Sequence, residues 1–232
     1  MHILIAGGSR GIGLACTKLF ASKGDNVSVI YNNTPIESSS NITAFKCDVS
    51  DPEQVKDTVS KITDTNGSID SLVYSSGIAL TGLVTDFSAD NYRKITDTNY
   101  GGLFFITHEV IPQMVRNQKG TITAISSMWG QTGSSCESLY AASKGAVDAY
   151  IKSLAKELGP SNIRVNAVSP GVVDTDMMKE YSDEDKEALK DETPLGRIGT
   201  PSEIAHVVYY LSTESSSFIT GQIIGVNGGF LI

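Results

Sequence analysis

Residues 3–13 read Ile3-Leu4-Ile5-Ala6-Gly7-Gly8-Ser9-Arg10-Gly11-Ile12-Gly13 and run directly into Leu14-Ala15-Cys16-Thr17-Lys18-Leu19-Phe20. The order is strand, glycine turn, helix. Glycine lets the chain turn sharply and lets backbone approach a pyrophosphate, while the first turn of the following helix offers unbonded N–H groups and the positive end of its dipole. A glycine turn alone is weak evidence, because a tight turn can bind nothing. At the first βα junction, with further βα units behind it, it reads as a nucleotide site made by Gly7, Ser9, Arg10, Gly11, Ile12 and Gly13.

Outward from this turn, short β-branched runs alternate with longer amphipathic stretches. Strands are expected at Ile3 to Ala6, Val27 to Tyr31, Thr43 to Cys47, Ser71 to Ser75, Thr121 to Ser126, Arg164 to Val168 and Gln222 to Val226. Helices are expected at Gly11 to Lys23, Pro52 to Thr65, Ala89 to Arg116, Leu139 to Leu158 and Ser202 to Leu211. Asp51-Pro52 and Thr200-Pro201 read as helix entries, Gly24 and Gly159 as exits. Such alternation predicts one α/β domain over residues 1–232, a doubly wound, Rossmann-type parallel sheet of about seven strands with helices on both faces. Two segments break the rhythm. Asn32 to Ile42 is too short and too broken by Pro35 for a crossover helix and reads as a loop. Thr175 to Arg197 is highly charged and reads either as a mobile lid over a pocket or as a solvated helix.

Composition narrows the function. The chain has 232 residues with 18 basic against 26 acidic side chains, a net charge of -8 that opposes nucleic acid binding. Cys16, Cys47 and Cys136 are odd in number and widely spaced, so neither a disulfide framework nor a metal site is expected. No apolar run is long enough to span a bilayer and the start lacks a basic leader, so a cytoplasmic protein without membrane attachment is expected. His2, His108 and His206 stand apart from one another and read as core or surface residues.

Tyr140 and Lys144, four apart at the start of a predicted helix, lie on one face one turn apart. A tyrosine exchanges protons poorly at neutral pH, and an adjacent ammonium stabilises its phenolate. An amphipathic helix with a snorkelling lysine has the same spacing. The second strand ends in Tyr31-Asn32-Asn33-Thr34, with no carboxylate before Glu37. An acidic residue there would hold an adenosine 2′-hydroxyl, whereas the amides of Asn32 and Asn33 tolerate a 2′-phosphate and Arg10 supplies a cation. NADP(H) is therefore favoured over NAD(H).

Taken together, Gly7-x-x-x-Gly11-x-Gly13, Asn99 within Asp97-Thr98-Asn99-Tyr100-Gly101-Gly102, Ser127 thirteen residues before Tyr140, Tyr140-x-x-x-Lys144 and Ser169-Pro170-Gly171 resemble the short-chain dehydrogenase/reductase family in order and spacing. The likeness covers essentially the whole chain. Pro194 to Ala205 and Ile219 to Gly229 look most like its 3-oxoacyl-(acyl carrier protein) reductase branch. The resemblance implies that Tyr140 acts as general acid in reduction and base in oxidation, and that Lys144 holds the nicotinamide ribose and depresses the Tyr140 pKa. It further implies that Ser127 orients the carbonyl and that Asn99 holds a water of the proton relay. Asp48 and Val49 resemble the adenine-contacting pair, Gly77 keeps room for the cofactor, and Pro170, Gly171, Val173 and Thr175 resemble the segment beside the carboxamide. One motif departs: Tyr74-Ser75-Ser76-Gly77 stands where the family has Asn-Asn-Ala-Gly, so the amide that ties this strand to its neighbours is absent.

The function expected is NADP(H)-dependent hydride transfer to a small-molecule carbonyl, with an acyl thioester as the leading substrate and fatty acid biosynthesis as its setting. Another ketone, sugar or steroid-like alcohol stays open, as does a dinucleotide-binding sensor without turnover, and a sugar-nucleotide epimerase is less favoured. The acidic balance argues against docking an acidic carrier protein. Basic candidates near the entrance are Arg116, Lys119 and Arg197, and Met128, Trp129, Met177 and Met178 are candidates for an apolar wall. The helices over Ala89 to Arg116 and Leu139 to Leu158 would, by resemblance, pack against further copies, giving a homotetramer or homodimer.

Overall fold

The structure, a computed structural model, describes residues 1–232 apart from the side chain of Glu180. Chain order gives β1 (His2–Ala6), α1 (Gly11–Ser22), β2 (Asn26–Tyr31), β3 (Ile42–Lys46), α2 (Pro52–Asn66), β4 (Ser71–Tyr74), α3 (Ala89–Thr96), α4 (Gly102–Asn117), β5 (Gly120–Ile125), α5 (Trp129–Thr132), α6 (Ser138–Leu158), β6 (Ile163–Pro170), α7 (Asp183–Asp191), α8 (Pro201–Leu211) and β7 (Ile223–Val226). The seven strands form one sheet in the order β3-β2-β1-β4-β5-β6-β7, every pair parallel. The strand order reverses between β1 and β4, and the crevice of such a sheet opens there, beyond the carboxyl ends of the strands.

Strand periodicity builds two cores. Leu4 and Ala6 of β1 join Val55 and Val59 of α2, Leu103 and Ile106 of α4 and Val147 and Ile151 of α6 on one face. Ile3 and Ile5 point the other way, onto Cys16 and Phe20 of α1 and Ile204 and Val208 of α8. Both faces of β1 are thus buried, which is why the strand reads as an unbroken apolar run.

The helix expected from Ala89 to Arg116 forms, but with a π-turn at Asp97–Gly101 between α3 and α4. Gly159 does not make the left-handed exit expected of it. At φ -52 it opens a 3-10 turn, and Asn162 at φ 59 takes the left-handed position instead. Residues 32–41 form a loop as expected, closed by a bridge between Ser39 and Ile42. The charged segment from Thr175 carries a 3-10 turn at Asp176–Glu180 and then α7, whose Ser182 and Asp185 cap each other reciprocally. No helix among the described residues is long and apolar enough to cross a membrane.

Candidate active site

The glycine turn leaves β1 at the crevice. Gly7 adopts φ +77, and a Cβ there would lie 2.7 Å from Ser76 N, so the turn after β1 presses against the turn after β4. A Cβ on Gly13 would strike Gly7 O, which holds α1 close against the turn. Arg10 occupies the N-cap position of α1 in extended conformation with no side chain capping the helix, and no acidic residue stands in its first turn. The free N–H groups of this helix start therefore face an open cleft of about 420 Å³ lined by Ser9, Arg10, Gly11, Thr175, Asp176 and Lys186 among others. That is a cradle of the kind a pyrophosphate fits. Arg10 is paired with Asp176 at 3.4 Å, so the charged segment reaches back to the turn.

At the other end of the crevice, β5 ends at Ile125 and delivers Ser127, while α6 delivers Tyr140 and Lys144 one turn apart. Lys144 is 4% exposed and donates from Nζ to the Ile125 carbonyl at 2.8 Å. Burial pulls its pKa down to about 8, and Asp148, one further turn along α6, opposes that shift. The Ser127 hydroxyl accepts from Trp129 N at 3.2 Å and also hydrogen-bonds the Tyr140 phenol.

Tyr140 departs from expectation. Burial pushes its pKa up to about 12, Ser127 works against this, and the neighbouring Glu137 and Tyr181 add to it. Lys144 is engaged elsewhere. Its ammonium lies 5.6 Å from the tyrosine ring centroid and is turned to the Ile125 carbonyl instead of the phenol oxygen.

Asn99 is held firmly by its side chain. Lying in the π-turn and fully buried, its Oδ1 accepts from Ile78 N at 2.8 Å, while Nδ2 donates to Ile78 O and to Ser143 Oγ, each at 2.9 Å. Both amide hydrogens are used, and Oδ1 accepts one of the two bonds its lone pairs allow. It clamps the chain after β4 to α6. The π-turn is in turn tied to the sheet by Tyr74, whose hydroxyl donates to Thr98 O. Tyr74 thus supplies a tie of its own where the family's amide is missing. Gly77 leaves room before these groups: a Cβ there would sit 3.4 Å from both Asn99 Oδ1 and Lys144 Nζ.

Of the remaining expected residues, Asn32 and Asn33 are exposed beyond β2. Asp48 follows β3 and accepts from Ser50. The Val49 side chain is packed in the core against the Gly102 position, so only its backbone is left to face a cofactor. Gly171 meets the backbone of Asn227, Val173 is buried, and Thr175 stands next to Gly11. Ile12 packs against the core behind the turn.

The basic entrance does not form. Arg116 and Lys119 precede β5 and so lie at the amino edge of the sheet, away from the site, and Arg197 is held bidentately by Glu203 at 2.6 and 3.0 Å. Of the candidates for an apolar wall, Met128 is buried, Trp129 stacks edge-on against Phe230 and Met177 is exposed, while Met178 lines the cleft beside Arg10. Sequence reasoning missed Asp148, Ser143, Glu137 and Tyr181. Asp148 was within reach, since it extends the Tyr140–Lys144 spacing by another four residues.

Residues 6–231 match the family model described as enoyl-(acyl carrier protein) reductase. The chain is 40% identical to an uncharacterised oxidoreductase of Bacillus subtilis, YmfI, over 98% of this chain and 97% of that one. It is 35% identical to the 3-oxoacyl-[acyl-carrier-protein] reductase FabG of Thermotoga maritima, covering 99% and 97%. Among solved structures, ElxO with NADP bound superimposes with a TM-score of 0.91 at 29% identity, over 99% of this chain and 98% of that one. A 3-oxoacyl-[acyl-carrier protein] reductase from Brucella melitensis gives 0.92 at 31%, over 100% and 91%. Sheet order, glycine cradle and full-length likeness agree, and the chain belongs to the short-chain dehydrogenase/reductase family, oxidoreductases that work with a nicotinamide cofactor.

Proposed function

We propose that this protein is an NADP(H)-dependent reductase of a ketone carbonyl, running in reverse as a secondary-alcohol dehydrogenase. One observation carries the reading: an uncapped helix start in a glycine cradle and a Ser127–Tyr140–Lys144 group, with Ser127 and Lys144 buried and Tyr140 partly exposed, open onto the same crevice, with Gly77 leaving the space between them. The nicotinamide supplies the hydride when bound. Tyr140 donates its phenolic proton to the carbonyl oxygen, and its raised pKa keeps that proton in place throughout the neutral range. The Ser127 hydroxyl orients the same oxygen. Lys144 presents its remaining N–H groups to the ribose, and Asn99 holds the β4 turn that bounds the pocket.

Preference for NADP(H) is supported by the absence of a carboxylate at Asn32 and Asn33 and by Arg10 beside the cradle. A 3-oxoacyl thioester, and with it a place in fatty acid biosynthesis in the cytoplasm, is supported by the names of the FabG relatives. A homotetramer, or at least a homodimer, is supported by the small-residue groove of about 380 Å³ along Trp129, Ala141, Ala142 and Gly145. The test is the initial rate of NADPH oxidation with acetoacetyl-CoA, with NADH alongside. Turnover with NADPH and little with NADH is expected. Cofactor binding without turnover across a broad carbonyl panel would favour a dinucleotide sensor.

A further inference from the structure

One carboxylate near the reacting phenol has no task in this scheme. Glu137 is 9% exposed and stands one helical turn before Tyr140, at the N-cap of α6, yet its side chain makes no capping bond. Oε1 accepts from the Tyr181 hydroxyl at 3.2 Å, a contact that joins α6 to the charged segment. Among the described residues no lysine, arginine or histidine forms an ion pair with it. Its influence nonetheless reaches the phenol of Tyr140.

A buried carboxylate with no cation beside it is costly. Burial accordingly pushes its pKa up, and the Tyr181 hydrogen bond only partly opposes this. Elsewhere such a group would be relieved by a basic neighbour. Here the nearest cation on the same helix, Lys144, is committed to Ile125 O, Arg197 is held by Glu203, and Lys186 lines the cleft beside Arg10. The chain leaves the counter-charge to the ligand.

We propose that Glu137 is a specificity residue of this site and that the ketone reduced here carries a positive charge, an ammonium, on its non-reacting part. The inference rests on the carbonyl-reductase reading and names a cationic ketone in place of the 3-oxoacyl thioester that the relatives' names suggest. A cation beside Glu137 forms an ion pair where burial has removed much of the screening water, so the attraction is stronger than at the surface. A carboxylate or an acidic carrier meets repulsion at the same point. The net charge of -8 acts in the same direction.

The test compares methyl ketones bearing a trimethylammonium group, at several chain lengths, with their tert-butyl isosteres, which match in shape and differ only in charge. Each pair is assayed at saturating NADPH with the wild type and with Glu137→Gln, whose amide oxygen can still accept from Tyr181. Expected is a wild-type preference for the cation in kcat/KM of about tenfold or more at the best length. Glu137→Gln should abolish that preference, with the tert-butyl ketone still reduced and NADPH binding, followed by fluorescence, within about twofold of wild type, which also shows that the variant folds. Equal turnover of both members by the wild type overturns the proposal and leaves the reductase reading standing. So does a preference that survives Glu137→Gln, or acetoacetyl-CoA outpacing every cationic ketone. If NADPH binds but no ketone is reduced, the reductase reading falls and this inference with it.

Discussion

The two ends of the crevice solve opposite electrostatic problems. At the glycine cradle the charged groups are wet: the side chains of Arg10 and Asp176 are 61% and 42% exposed, and their pair is long. At the other end Lys144, Ser127 and Asn99 are nearly or fully buried and each is held by specific hydrogen bonds. Water screens the first set, so charge there tunes affinity by small steps. Desolvation governs the second, so proton affinities are displaced and removal of a single atom has a large effect. The cradle offers backbone N–H groups, the far end side chains whose proton affinities burial has displaced.

The largest effect expected is at the buried end. Tyr140→Phe removes the proton donor and leaves the ring, so kcat for ketone reduction should fall by about a thousandfold. NADPH binding, followed by its fluorescence, should stay within about twofold. Comparable losses in both would erase the distinction between the two ends.

Next comes pH. Burial holds the Lys144 pKa down to about 8 in the folded protein, from the 10.5 of a free lysine. Between those values the unfolded chain binds more protons than the folded one, so this group makes stability rise as pH rises through the window and is destabilising below it. Denaturant unfolding from pH 7.5 to 10 should show a Lys144-dependent increase on the order of 2–3 kcal/mol. Lys144→Met should remove it. Tyr140 contributes the opposite sign, since its folded pKa is raised from 10.0 to about 12 and stability from it is lost as pH climbs through that range. A wild-type curve that Lys144→Met does not change would mean that the ammonium is hydrated after all.

The smallest effect belongs to the exposed end. Asp176→Ala frees Arg10 and should tighten NADPH binding about threefold, and the gain should fade as salt is raised. Arg10→Ala should weaken NADPH relative to NADH by roughly tenfold. Salt-independent changes would place this pair in the same desolvated class as Lys144.

How much of this was legible depended on whether the signal was local. The expected strands and helices fell within two residues of their expected ends, the helix over Ala89 to Arg116 being interrupted by the π-turn, because each is written in nearest-neighbour periodicity. The Tyr140–Lys144 pair was legible because four residues are one helical turn. Glu137 was not, since its meaning depends on Tyr181, 44 residues away, and on the missing cation. Likewise, nothing local distinguishes a Tyr74 that merely replaces an amide from one that donates across the sheet edge to Thr98.

The sequence by itself determined the parallel doubly wound sheet, the glycine cradle and the placing of Tyr140 and Lys144 on one helix face, because spacing along a strand or helix dictates which side chains share a face. Only the tertiary structure decided that burial raises the Tyr140 pKa, that both amide hydrogens of Asn99 are engaged, that Arg116 and Lys119 lie at the far edge of the sheet, and that Glu137 is buried without a counter-ion. The physical reason is that desolvation and charge pairing are set by everything packed around a group, from every part of the chain, and spacing along one element carries no record of them.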